Sequence, residues 1–158
     1  APFDRPFDFA VAGDTRSFAD LLPQSGLEFI NQYADGIGPW KPYLVTTVDD
    51  GVERTGDGLL TINDRRADGS TGVIELAHSL GLLVHTWTFR NDASGYGFED
   101  PEAEMAYYFT LGVDGLFTDF PDTGVAARAS VVPVPAAAWL LGSAIVGLAG
   151  RSRRRSRD

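Results

Sequence analysis

The sequence predicts an α/β fold with a parallel sheet, and three observations within residues 81–121 carry that prediction. Residues 82–89, L-L-V-H-T-W-T-F, are an apolar, β-branched and aromatic run of the kind a strand buried on both faces requires. Asp100-Pro101-Glu102 then opens a helix: the Asp caps the first amides, the Pro suits the first helical position, and Met105, Tyr108, Phe109 and Leu111 supply an apolar face. Gly112-Val113-Asp114-Gly115 turns the chain into a second short strand at 116–118, stopped by Pro121. Strand, helix, strand with no room for a hairpin is a βαβ unit, so its strands run parallel.

The elements before this unit are less regular. Residues 1–25 mix Pro, Asp and aromatics without a sustained period; 8–11 read as extended and 17–22 as a short turn of helix. Leu27, Ile30 and Tyr33 fall three apart, which predicts a short amphipathic helix over 24–33 with Ser25 as its cap. Residues 35–39, D-G-I-G-P, predict a very short strand ended by a Gly-Pro break. Residues 43–48 are β-prone, and 59–62 could extend as a short strand. Between 49 and 70 the chain is polar and rich in Asp-Gly turns. Asp49, Asp50, Glu53 and Asp57 invite a calcium-loop reading, but they lack the D-x-D-x-D-G-x5-E register, and a solvated loop is the other reading. Val73, Ile74, Ala77 and Leu80 share one face of a helix over 70–80 with Gly81 as its stop, and His78 near its end suits the helix dipole. A last helix is predicted over 122–129.

Charge narrows the function classes. The chain carries a formal net charge of -9, yet its last eight residues hold five Arg and one Asp. Without them 8 basic residues face 21 acidic ones. So acidic a body argues against nucleic-acid binding, which needs a positive surface, and is compatible with divalent cations. There is no Cys, which excludes disulfides and thiolate metal sites.

Two strings, V-H-T-W-T-F-R (84–90) and G-V-D-G-L-F-T-D-F-P-D-T (112–123), closely resemble the last two strands of glycerophosphodiester phosphodiesterases. Y-A-D-G-I-G-P-W-K (33–41) is similar to the strand before them and the loop leaving it. The resemblance runs over roughly residues 7–128, broken by a divergent insertion near 50–69, and implies the C-terminal portion of a (β/α)8 barrel, a domain over 1–129 that is one half of a larger whole, since such barrels usually need ~200 residues or more. It also implies hydrolysis of glycerophosphodiesters to sn-glycerol 3-phosphate and an alcohol, assisted by a divalent metal, Ca or Mg. The family's His-Arg-Gly, Glu-x-Asp and second-His motifs do not occur in these residues, and neither His78 nor His85 stands in such a context. The catalytic groups and metal ligands are therefore expected upstream of residue 1, with this chain inactive alone. The alternative is a degenerate barrel half retained as a non-enzymatic exported protein.

The candidate substrate-binding residues are Trp87, Phe89, Phe120, Asp119 and Lys41. Strand alternation puts His85, Trp87 and Phe89 on one face and Thr86, Thr88 and Arg90 on the other. By the resemblance, Trp87 sits at the barrel mouth against the glycerol or alcohol part of the substrate, and Phe89 and Phe120 enlarge that wall; simple core packing is the other reading of Trp87. Asp119 reads either as a turn cap before Phe120-Pro121 or, by the resemblance, as a residue ordering the pocket by pairing with an arginine outside these residues. Lys41 stands where a barrel strand opens to the active face, or is an exposed loop charge. His85 reads as a packed, hydrogen-bonded core histidine, and Asp114 and Asp122 as turn and cap residues.

The tail is different in kind. Residues 131–150 hold no charge, about enough chain to cross a bilayer core at ~1.5 Å per residue, and the arginines that follow predict a cytoplasmic end. Pro133-Val134-Pro135, a small-residue apolar segment and terminal arginines resemble the PEP-CTERM sorting signal, here over 130–158. That resemblance implies a transmembrane helix over 131–150 and export to the cell envelope or beyond, with an exosortase-type protease as partner; an ordinary C-terminal membrane anchor is the other reading.

Overall fold

The computed structural model describes residues 4–131, apart from 55, 62, 63, 93, 94 and 99. The predicted βαβ unit is its spine. Strand β4 (Leu83–Phe89), helix α4 (Pro101–Leu111) and strand β5 (Gly115–Thr118) follow one another as expected, and β4 pairs with β5 in parallel. Asp100 caps α4 by accepting the Ala103 amide at 2.7 Å. Gly112, at φ +104, ends the helix in the left-handed region, where its N–H reaches the Tyr108 and Phe109 carbonyls.

Strand β1 (Gly36–Ile37) pairs with the other side of β4, also in parallel, so the three-stranded sheet has the order β1-β4-β5. Pro39 has no N–H to continue the ladder. Two side chains of β4 replace it: the Thr86 hydroxyl donates to the Pro39 carbonyl at 2.9 Å, and the Trp87 indole N–H to the Gly38 carbonyl at 2.8 Å.

Helices α3 (Val73–Ser79), α4 and α5 (Pro121–Val131) complete the repeating unit. The outward side chains of β4, Val84 and Phe89, are fully buried with Ile74 of α3 and with Met105 and Tyr108 of α4. Phe89 meets Tyr108 edge to face, with centroids 5.0 Å apart. Gly124 and Ala127 are the buried residues of α5, and small residues there let it lie close to Thr118 and Met105. Parallel strands, each followed by a helix on the outer face, agree with part of a (β/α)8 barrel.

The amino-terminal region departs from expectation. Residues read as extended form helix α1 (Phe7–Ala12), entered through Pro6 and ended at Gly13. Its Phe9 packs edge-on to Phe29, and the Arg16 guanidinium stacks over both rings at 4.5 and 4.7 Å. Helix α2 (Gln24–Ile30) starts after Pro23, with Ser25 inside its first turn rather than at the cap. Strand β2 (Val45–Val48) pairs antiparallel with β3 (Arg66–Ser70), a polar segment read as loop. Partners decide that strand: Ala67 N–H bonds the Tyr96 carbonyl, and Gly69 N–H the Tyr107 hydroxyl. Residues 59–61 form no strand.

Among the described residues no helix is long and apolar enough to cross a membrane. The apolar segment, the Pro-x-Pro element and the arginine tail predicted beyond Val131 lie outside the described residues.

Candidate functional site

In parallel α/β sheets ligands bind beyond the carboxyl ends of the strands. Here that end carries two tryptophans. Trp87 projects from the inner face of β4, and Trp40, bridged to it in parallel register, follows the Gly38-Pro39 break. Their rings stack at 6.4 Å and 30°, and Tyr43 meets Trp40 edge-on at 6.3 Å. Together with Phe18, Leu21 and Ile37 they line an apolar cavity of about 810 Å³ along the edge of β1 that pairs with no other described strand. Trp87 is 43% exposed and borders this space.

The other predicted residues do not join it. Phe89 was expected on the same face as Trp87, but the pairing register shifts between Thr86 and Phe89, the alternation resets, and Phe89 enters the outer core with no exposure. Phe120 is half-buried, donates its N–H to the Thr118 hydroxyl, and does not line the cavity. Lys41 turns away from the mouth. Its Nζ is held 2.6 Å from Glu104 Oε1 and lies 4.9 Å from the Phe89 ring centre, so it is neither an exposed loop charge nor directed at the cavity.

Asp119 does pair with an arginine, but with one of this chain: Arg90 Nη1 donates to its Oδ2 at 2.8 Å. Arg90 also grips Asp92 through Nε and Nη2, both at 2.8 Å. The hydrogen bonds between Arg90 and Asp92 raise the guanidinium's pKa and lower the carboxyl's. This exposed trio stands at the carboxyl ends of β4 and β5.

His85 lies on the inner face beside Trp87, exposed, not in the core. Its ring passes over Gly115, where a Cβ would meet it at 3.0 Å, and meets Phe117 edge-on. His78 reaches Asp114 at 2.9 Å, and Asp114 also accepts the Val84 N–H at 2.8 Å. Burial pushes the Asp114 carboxyl up, but the Val84 amide and His78 outweigh it and hold it below the usual range. That pair closes the amino-terminal end of the sheet, opposite the tryptophans.

In the 49–64 loop the carboxylates serve their own turns. Asp49 accepts Gly51 N–H, Asp57 accepts Leu59 N–H, and Asp50 binds the Arg54 guanidinium at 2.6 Å, which lowers its pKa to about 2. Among the described residues no group of three or more His, Asp or Glu side chains is disposed to hold a metal ion.

Sequence reasoning missed Trp40 and Glu104. Trp40 lay inside a quoted string but carries no periodic signal. Glu104 stands four residues before Tyr108, on the apolar face of α4; an acid on that face was the available sign.

The match to known proteins covers β2 through β5 and leaves out β1. The profile of the glycerophosphoryl diester phosphodiesterase family matches residues 42–123, from the turn after Trp40 through β5. The chain belongs to this family. It is 34% identical over 109 residues to the Arabidopsis thaliana protein named glycerophosphodiester phosphodiesterase GDPD6, a match covering 66% of this chain and 25% of that one. It is 30% identical over 105 residues to GDPDL6 of the same plant, covering 64% of this chain and 12% of that one. The chain thus spans a quarter or less of the length of these curated phosphodiesterase relatives. Within the family match lie Trp87, Phe89, Asp119, Phe120 and Glu104, whereas Trp40 and Lys41 fall just before it.

Proposed function

We propose that this chain contributes the substrate-binding wall of a glycerophosphodiester phosphodiesterase, which releases sn-glycerol 3-phosphate and an alcohol. The observation that carries the reading is the stacked Trp40–Trp87 pair at the carboxyl end of a parallel sheet within a phosphodiesterase-family chain. A flat apolar wall suits the carbon skeleton of the substrate's alcohol or glycerol portion, and stacked indoles present such a surface without much side-chain entropy to lose.

Hydrolysis needs a general acid and base for the attacking and leaving oxygens, and a charge to neutralise the phosphoryl oxygens. We assign those, with the Ca or Mg ligands, to the remainder of the barrel, so these residues alone hydrolyse nothing. The Arg90–Asp119 pair stands at the rim, just past the carboxyl ends of β4 and β5. The test is an assay of the whole native protein on glycerophosphocholine with and without chelator. Chelator-sensitive release of glycerol 3-phosphate is expected; no release from the whole protein would sink the reading. The tail belongs to the same proposal: export through a PEP-CTERM-type signal predicts a mature protein whose mass lacks the arginine cluster.

A further inference from the structure

The buried ion pair between Lys41 and Glu104 lacks a role in the reading above, and its placement points to one. Glu104 is completely buried and Lys41 nearly so, at 0% and 12% side-chain exposure. Taking both charges out of water costs several kcal/mol per ion, and a well-packed apolar pair in their place is often as stable or more so. Stability therefore does not account for the pair. Its surroundings do. The Glu104 carboxylate holds Lys41 Nζ on one oxygen, is stabilised by the Gly95 backbone N–H, and has no hydrogen-bond partner on Oε2 among the described residues. The Tyr108 hydroxyl, one turn along α4, donates to the Lys41 carbonyl at 3.2 Å.

Lys41 thus has both its side chain and its backbone tied to α4. It immediately follows Trp40, and its ammonium touches Phe89, two residues after Trp87. The ion pair therefore joins α4 to the turn that begins at Trp40, beside Phe89 on the buried face of β4 rather than the face that carries Trp87. We propose that Lys41–Glu104 is a positioning device: it fixes the 40–43 turn against β4 so that Trp40 stacks on Trp87, and thereby sets the shape of the apolar wall. An apolar replacement would fill the same space without specifying the direction in which the turn points.

Only the kinetic arm of the test rests on the phosphodiesterase reading. The stack's own near-ultraviolet circular dichroism is isolated as the difference between the full-length protein and its Trp40→Phe variant. In the double variant Lys41→Met/Glu104→Met, melting is expected within about 3 °C of the parent, because no buried charge is left unpaired. The stack's band is expected to fall by roughly half or more as the rings lose their fixed geometry. A folded double variant that keeps the full band overturns the proposal. Should the double variant fail to fold, Glu104→Asp, which keeps the charge but shortens the reach, replaces it: a weakened band supports the clamp and an unchanged one overturns it. In the glycerophosphocholine assay KM is expected to rise about tenfold with kcat within about twofold, and an unaltered KM alongside a lost band overturns the link to substrate. An inactive parent protein would sink the phosphodiesterase reading, while the band still decides the clamp.

Discussion

Both faces of β4 carry large apolar side chains, and the two faces have different fates. On the outer face Val84, Thr86 and Phe89 are fully buried under α3 and α4. On the inner face Leu83 and Trp87 are 49% and 43% exposed, and Phe117 of the neighbouring strand 57%. Large apolar side chains left uncovered in a row mark a surface that belongs against something else. The outer layer of this α/β unit is complete; the inner layer is the part that the rest of a barrel would fill. Stability resides on the first and, in the proposed reading, recognition on the second.

The sharpest way to break this comparison is a pair of truncations. Phe89→Ala, in the closed outer core, is expected to cost about 3–5 kcal/mol in a denaturant titration of this chain. Trp87→Ala is expected to cost about 1–2 kcal/mol, since much of its ring is already in water. Equal costs would mean that the faces are not distinct. In the whole protein the ranking should invert for function: Trp87→Ala lowers kcat/KM for glycerophosphocholine about tenfold or more, with the metal dependence unchanged.

A smaller effect separates two carboxylates by sign. Burial raises the Glu104 carboxyl, and Lys41 offsets this only in part. Between the ordinary Glu value of ~4.3 and its raised native value, the folded state holds more protons than the unfolded one, so this group's contribution falls as pH rises. Asp114 is lowered instead, so its contribution is present above ~3.9 and is lost as pH falls through its native value. Denaturation midpoints against pH should therefore lose the first slope in Glu104→Gln and the second in Asp114→Asn; interchanged slopes would contradict both assignments. Smallest of all, His78→Ala is expected to cost no more than about 1 kcal/mol, because its pair with Asp114 is well exposed.

How legible these features were depended on how local their causes are. The 81–121 unit was readable because cap, turn and apolar face are neighbours in sequence: Asp100 caps α4, Gly112 ends it, and β5 begins at Gly115. β3 was not readable, because R-A-D-G-S has no strand pattern of its own and extends only where β2, Tyr96 and Tyr107 supply partners. The site divides likewise. Trp87 was found from its string, but the alternation that grouped it with Phe89 failed at the register shift. Lys41 was placed at the active face because it follows a strand end, but its partner Glu104 stands 63 residues away. Asp119, expected to pair with an arginine outside these residues, bonds within them to Arg90, just past the end of the adjacent strand.

By itself the sequence determined the parallel βαβ unit and the strand carrying Trp87, because short-range capping, turn chemistry and an unbroken apolar run leave few other folds open. Only the tertiary structure decided which aromatic faces inward, which charge is spent on an internal pair, and that Trp40 joins Trp87. Those outcomes depend on register and on contacts between distant segments, which local sequence does not encode.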